Sequence, residues 1–311
     1  MGDNATLDEF VTSESSEPTT IDRPDRFDND PTEGKYNTPQ YEPDGDQLKS
    51  IHAIPDNCLS FTVRAPFAHF RKVETSSTRL TYGIPPRTTV NGLVAAILGL
   101  EPNSYYELFS LTNSAIAISI GSELQELSLP IKHRNTDPDH METVSDGELT
   151  MKMIDLPEKI PDGEAHQRVA HTMLQNVAYR IDIWLSSSDH YTTLRENLEQ
   201  GKSYYTPSLG LSECLASIEY HGEYTPQPIP ETESIPIDSI FPKSAGSIEA
   251  EEEMQITTEQ TPAEMEQVTN DGFVRRRTTD YTAYQYCPFD TQMSVTTDFA
   301  ATVDGRTVVF K

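Results

Sequence analysis

Apolar and polar residues alternate over positions 58–64, with Leu59, Phe61 and Val63 on one side. This is the period of a strand buried on one face. After Pro85-Pro86 the period changes. Val90, Leu93, Val94 and Ile97 recur at helical spacing, Thr88 or Thr89 stands where a cap belongs, and Gly99 closes the pattern with Pro102 beyond it. These signals predict a helix over residues 90–100. Strand-like runs follow at 115–120, 124–133 and 177–185. Leu194 and Leu198, four apart, predict a second helix over 189–200. Residues 214–220 read as a strand or as a helix-to-strand element, and periodicity does not separate the two. Beyond Tyr224, short apolar runs at 235–241 and 254–256 are interrupted by acidic, proline-bearing stretches. The stretch 278–310 alternates like β structure, with a hairpin turn at Asp304-Gly305. Residues 1–57 show no hydrophobic period, and no repeat is visible at solenoid spacings. The pattern is that of an α+β protein.

Composition changes this picture at the ends and in its electrostatics. The 311 residues are 35% apolar, low for a compact globule yet too high for a wholly disordered chain. Residues 1–57 hold fourteen acids against Arg23, Arg26, Lys35 and Lys49, so they are expected to form a disordered acidic extension. The whole chain carries a formal charge of −27, with 9 Lys against 14 Arg. Such an acidic, lysine-poor composition resembles that of haloarchaeal proteins, where a Debye length of about 3 Å at 1 M salt screens the self-repulsion. The acid is then a background, and departures from it carry the information. The strongest departure is at 58–99, where Glu74 alone faces Arg64, Arg71, Lys72, Arg79 and Arg87 for a net +4. Residues 221–271 return to twelve acids and one base, and Arg275, Arg276 and Arg277 then restore positive charge.

Several function classes lose support. The best apolar run, 94–100, is far short of the roughly 20 residues of a membrane helix. The start, Met1-Gly2-Asp3-Asn4, is acidic and unlike a secretory signal, so a soluble cytoplasmic protein is expected. Cys58, Cys214 and Cys287 form no C-x-x-C pair, which argues against a zinc ribbon or a disulfide framework. No phosphate-binding loop, dinucleotide fingerprint or G-x-S-x-G elbow occurs. Asp137, Asp139 and His140 read as a turn with exposed acids, so no metal or cofactor is expected. What stands out is Arg64-Ala-Pro-Phe-Ala-His-Phe-Arg-Lys72, which mixes three cations with Phe67, His69 and Phe70 just after a strand. Cations neutralise phosphates, and flat side chains stack on unpaired bases. The competing reading is that both phenylalanines are core and the cations merely solvated.

Three segments decide the comparison: Phe61-Thr-Val-Arg64, Ala68-His-Phe-Arg71, and Thr81-Tyr-Gly-Ile-Pro-Pro-Arg-Thr-Thr-Val-Asn-Gly-Leu-Val-Ala-Ala-Ile-Leu-Gly99. Together they resemble the opening of CRISPR-associated protein family five, the RAMP-type subunit of type I Cascade complexes. Residues 175–183 and 205–216 are similar to later parts of that family, and residues beyond 224 resemble its haloarchaeal type I-B branch. The resemblance implies a ferredoxin-like (RRM-like) RAMP domain over 58–224, a thumb-like β-hairpin inserted near 134–176, and a smaller acidic β-rich region over 225–311. It implies a non-catalytic subunit that binds the 5′ handle of the CRISPR guide RNA. Its partners would be the Cascade backbone RAMP subunits and large subunit, with target DNA met indirectly in antiviral defence. Carried over by position, the RNA-binding candidates are Arg64, His69, Arg71, Lys72, Arg79 and Tyr82, joined by Lys132, His133 and Arg134. Arg275, Arg276 and Arg277 join on charge alone, with a solvated strand end as the competing reading. One branch of the family cleaves precursor guide RNA without metal. Tyr82, Lys132 and His133 supply the residue types that chemistry needs. A free-standing RNA chaperone is a third class, consistent with the acidic extension but not with the resemblance. Gly92 sits inside the first predicted helix, where a glycine is expected to mark a close approach of another backbone.

Overall fold

A computed structural model describes residues 53–73, 78–134, 142–143, 149–150, 166–230, 234–249, 254–270 and 273–311. Most of the acidic extension, most of the thumb expected near 134–176, and the Asp137–Asp139–His140 cluster lie outside the described residues. Everything described belongs to one unit, Pro43–Lys311. In chain order its elements are β1 (Cys58–Ala68), β2 (Arg71–Val73), β3 (Thr78–Thr81), α1 (Arg87–Leu98), β4 (Ser114–Ile120) and β5 (Gln125–Arg134). Next come the two-residue pair β6 (Glu142–Thr143) and β7 (Leu149–Thr150), then β8 (His166–Leu185), α2 (Ser188–Glu199) and β9 (Ser217–Tyr224). The remainder is β: β10 (Gln227–Pro228), β11 (Ile235–Ile237), β12 (Phe241–Pro242), β13 (Ser247–Glu249), β14 (Thr257–Asn270), β15 (Phe273–Tyr286), β16 (Met293–Thr296), β17 (Ala300–Val303) and β18 (Arg306–Val309).

The 20-residue β8 is the spine. Its C-terminal half lies between β1 and β4, both antiparallel, and β9 adds to the far side of β1. The order across this part of the sheet is therefore β9-β1-β8-β4. The N-terminal half of β8 pairs instead with β5, antiparallel, and touches β3 in parallel at Thr78 and Arg79. The changeover comes at Asn176, whose φ of +50° interrupts the alternation. Asn tolerates that left-handed backbone better than most residues.

Both helices cover one sheet face. Leu59, Phe61, Val63, Ile116, Ile118, Ile181 and Ile183 meet Val90, Leu93, Val94 and Ile97 of α1 and Tyr191, Leu194 and Leu198 of α2. Burial of this strand and helix stripe follows directly from its spacing. One local expectation fails. The first helix starts at Arg87, with Pro86 at its N-cap and no side-chain cap bond, so neither Thr88 nor Thr89 caps it. The reason is that Arg87 is drawn inward. Its guanidinium is fully buried and donates to the backbone carbonyls of Lys311 and Ser114 and to Ser114 Oγ. Gly99 ends the helix in the left-handed conformation, as its place in the pattern indicates. The ambiguous 214–220 segment resolves into a turn around Cys214 and then β9.

The opposite sheet face is closed by the β17–β18 hairpin. Val303, Val308 and Phe310 pack on Cys58, Ala115 and Ala117. Its turn residues Asp304 and Gly305 both have positive φ, the geometry that matches hairpin twist. The long β14–β15 hairpin packs on α1, and Ile240, Tyr284 and Tyr286 enter the core of the main sheet. A second cluster joins Ile235, Ile237, Phe241, Met293 and Val295. Among the described residues, no helix is long and apolar enough to cross a membrane.

Candidate nucleic-acid interface

A basic edge forms where β2, β3 and the N-terminal half of β8 meet. Arg71 and Lys72 are exposed on β2, and Arg79 is half-buried on β3 beside His171 of β8. The open end of the β2–β3 pair is tied by Tyr82 N–H to Phe70 carbonyl at 2.8 Å and by Phe70 N–H to Thr81 Oγ1 at 2.8 Å. That tie turns the ring of Tyr82 inward, leaving it 6% exposed. Lys72 Nζ stands 5.3 Å from the Tyr82 ring centroid, a cation–π distance, and 3.0 Å from Glu259 Oε1. Glu259 also accepts from Gly83 N–H at 2.8 Å and from the Tyr286 hydroxyl at 3.1 Å. Burial, with Tyr281 and Glu259 nearby, raises the pKa of Tyr82. His69 is 1% exposed, stacks on His171 at 5.2 Å, and makes a 2.8 Å bond from Nδ1 to the Thr172 carbonyl. A carbonyl can only accept, so Nδ1 carries the proton. Burial holds the His69 pKa below its ordinary value, with Arg71 and Arg79 pushing the same way and the carbonyl bond opposing them. Of the RNA-binding candidates, His69 and Tyr82 are therefore buried and support the edge from within. The exposed ring beside Tyr82 is Tyr281, 45% exposed, and Leu80 is open to 44%.

Further along β8, Lys132 of β5 lies directly opposite Arg168, and both are exposed. Like charges directly opposite destabilise a sheet, and an anion between them removes that penalty. His133 and Arg134 continue the pairing, but their side chains lie outside the described residues, as does that of Arg275. Tyr82 has Lys72 over its ring, with Glu259 and Tyr281 nearby. Arg64 is elsewhere. It projects from the sheet face opposite the helices, 3.7 Å from Glu219, at a cavity of about 480 Å³ shared with Arg180 and Arg306. On β15, Arg276 Nε donates to Asn103 Oδ1 at 2.8 Å, and Arg277 pairs with Glu266 across the hairpin. Among the described residues, no group of three or more His, Cys, Asp or Glu could hold a metal ion.

A family model described as CRISPR-associated protein (Cas_Cas5) matches residues 58–278. The chain belongs to the Cas5 family. Among solved structures, the Cas5 chain resembles a CRISPR protein from Archaeoglobus fulgidus at 14% identity and a TM-score of 0.47, covering 81% of this chain and 98% of that one. It resembles a chain of a CRISPR RNA-guided surveillance complex at 14% identity and a TM-score of 0.41, over 76% and 91% of the two chains. A chain of a Type III-B Cmr-beta complex bound to cognate target RNA follows at 11% identity and 0.35, over 80% and 86%. No curated protein matches the chain.

Three residues that shape the edge of this Cas5 protein escaped sequence reasoning. Glu259 is separated from Lys72 by 187 positions and stands in a run that reads as an acidic loop. Tyr281 has the opposite parity from the buried Tyr284 and Tyr286, a signal visible in the alternation. Gly210 has a φ of +89°, and a Cβ there would lie 1.9 Å from the His69 carbonyl oxygen. Its loop is thus pressed against the segment that carries the basic edge, with His69 N–H donating to the Leu209 carbonyl at 3.3 Å.

Proposed function

We propose that this Cas5 protein is a non-catalytic subunit of a type I CRISPR effector complex, binding the 5′ handle of the guide RNA and capping the Cascade backbone. The observation that carries the reading is the gathering of Arg71, Lys72 and Arg79 at one sheet edge beside the exposed Tyr281, in a family member of net charge −27. Cations position phosphates and a ring stacks on a base. The strand order β9-β1-β8-β4, with both helices on one face, supports a ferredoxin-like RAMP domain over 58–224. In that reading the β5–β8 pair is the root of a thumb over 134–176, and residues 225–311 form the β-rich region. Lys132, His133, Arg134 and Arg168 would extend the RNA path along that root, and Arg64 and Arg275–Arg277 would meet RNA or neighbouring subunits. The partners are the backbone RAMP subunits and the large subunit, in a salt-rich cytoplasm.

The cleavage reading, with Tyr82, Lys132 and His133 as catalytic groups, is disfavoured by one observation. A buried phenol with a raised pKa makes a poor base. RNA retention across a salt series tests the binding reading. Arg71→Ala and Tyr281→Ala are expected to weaken retention of a handle-bearing RNA about tenfold or more at molar salt, where stacking and arginine forks outlast point-charge attraction. Retention equal to the parent in both variants, or specific cleavage of precursor RNA by the protein alone, would overturn it.

A further inference from the structure

Against the side of α1 that faces away from the sheet lies a cavity of about 360 Å³, walled by Asn91, Gly92, Tyr105, Tyr106, Glu264 and Arg276. None of the basic-edge residues lines it. Its volume falls in the range of small-ligand pockets. Asn91 is 7% exposed, yet its Oδ1 has no hydrogen-bond partner among the described residues. A carbonyl oxygen so buried and without a donor is a place where a ligand has something to supply. Tyr105 and Tyr106 lie beside it with ring centroids 5.4 Å apart. Gly92 keeps the cavity open. A Cβ there would meet only the Tyr105 hydroxyl, at 3.7 Å, so the glycine answers to no neighbouring backbone, which corrects the close-packing expectation.

We infer that this cavity is a site for an unpaired adenine base. An asparagine amide carries one acceptor and one donor, the complement of adenine N6–H and N7. Asn91 Oδ1 is closed off as it stands, so binding requires the side chain to rotate into the cavity and present both. The tyrosines supply a face for stacking, as flat side chains do for splayed-out bases. At the rim, Arg276 is exposed beside Asn103 and brings positive charge for the adjoining phosphate. Glu264, whose Oε1 accepts from Leu111 N–H at 2.7 Å, puts a carboxylate where a ribose hydroxyl donates. The RNA form of this inference rests on the proposed RNA-binding role, whereas the adenine chemistry does not. The same base could arrive on a strand or as a free nucleotide.

Binding of oligoadenylate, oligouridylate, AMP and GMP to the full chain in molar salt tests it. Oligoadenylate should bind about tenfold tighter than oligouridylate, the discrimination a bidentate amide gives. Asn91→Leu should erase that preference, and Arg71→Ala should weaken both oligomers alike. Asn91→Asp, similar in size, removes the donor and should also lose the preference, which covers the case in which the leucine variant does not fold. AMP binding that exceeds GMP binding and fails in Asn91→Asp would assign the site to a free nucleotide. Oligoadenylate preference without AMP binding would assign it to a strand. AMP binding without any RNA binding would keep the adenine site and sink the RNA role. A parent with no adenine preference in either form, or a folded Asn91 variant that retains it, overturns the inference.

Discussion

Glu259 is 7% exposed and takes hydrogen bonds from three segments: Lys72 of β2, Gly83 after β3, and Tyr286 of β15. It neutralises part of the basic edge and also holds that edge to the long hairpin. Glu259→Ala leaves a buried N–H and hydroxyl without their acceptor, so a loss of about 2–3 kcal/mol is expected in denaturant unfolding. His69 adds a pH dependence of known sign. Its folded pKa lies below the ordinary 6.5. Between the two values the unfolded chain binds more protons, so stability is fully present above about 6.5 and falls as pH drops below it. His69→Asn should lose less stability than the parent between pH 7 and pH 5, read from unfolding midpoints. An equal or larger loss would show that His69 is not the group responsible.

Two glycines, one in a loop and one in helix α1, behave differently because of their backbone and of what stands over them. Gly210 has a φ of +89° and would place a Cβ 1.9 Å from the His69 carbonyl oxygen, so Gly210→Ala must shift the loop or the link between β1 and β2. A destabilisation of about 2 kcal/mol or more is expected, with weaker RNA retention through the displaced edge. Gly92 has negative φ space and 3.7 Å of clearance, so Gly92→Ala should leave stability unchanged or raise it by about 0.5–1 kcal/mol through helix propensity. Circular dichroism melting of the pair separates the two cases. The same local logic explains why the first helix begins at Arg87. An arginine with a buried backbone carbonyl to reach is worth more there than a threonine cap.

The chain is held together across the sheet by ion pairs that link its last hairpin to its spine. Arg306 of β18 donates to both oxygens of the fully buried Asp182 at 2.8 and 3.0 Å, and Asp182 also bonds Ser60 Oγ at 2.5 Å. Arg180 bridges from Ser60 Oγ to Asp304 in the hairpin turn. Arg306→Ala strands a carboxylate in the interior, and a loss of about 3 kcal/mol is expected from urea unfolding. Replacing the pair together, with Asp182→Leu and Arg306→Met, should recover most of it, because two apolar groups leave no charge to desolvate. A single variant as stable as the parent would show the pair to be incidental. Molar salt should change this loss little, since a pair buried this far is poorly screened.

Periodicity in the chain determined β1, α1, α2 and the β17–β18 turn, because each of these needs only its own spacing and end signals. The net positive segment at 58–99 likewise announced the basic edge, since charge is a property of the residues and not of their packing. Tertiary structure decided which of those residues face solvent. Alternation says that a residue lies on one face of a strand, but whether that face is covered depends on what arrives from elsewhere. Tyr82 and His69 are buried by Glu259, Thr172 and the Gly210 loop, all distant in sequence. Tyr281, by contrast, is 45% exposed on the other face of β15. Asn91 shows the same division: its place on the helix is legible, while the burial of its Oδ1 without a donor, at the edge of a cavity also lined by Tyr105 and Glu264, is decided by tertiary packing.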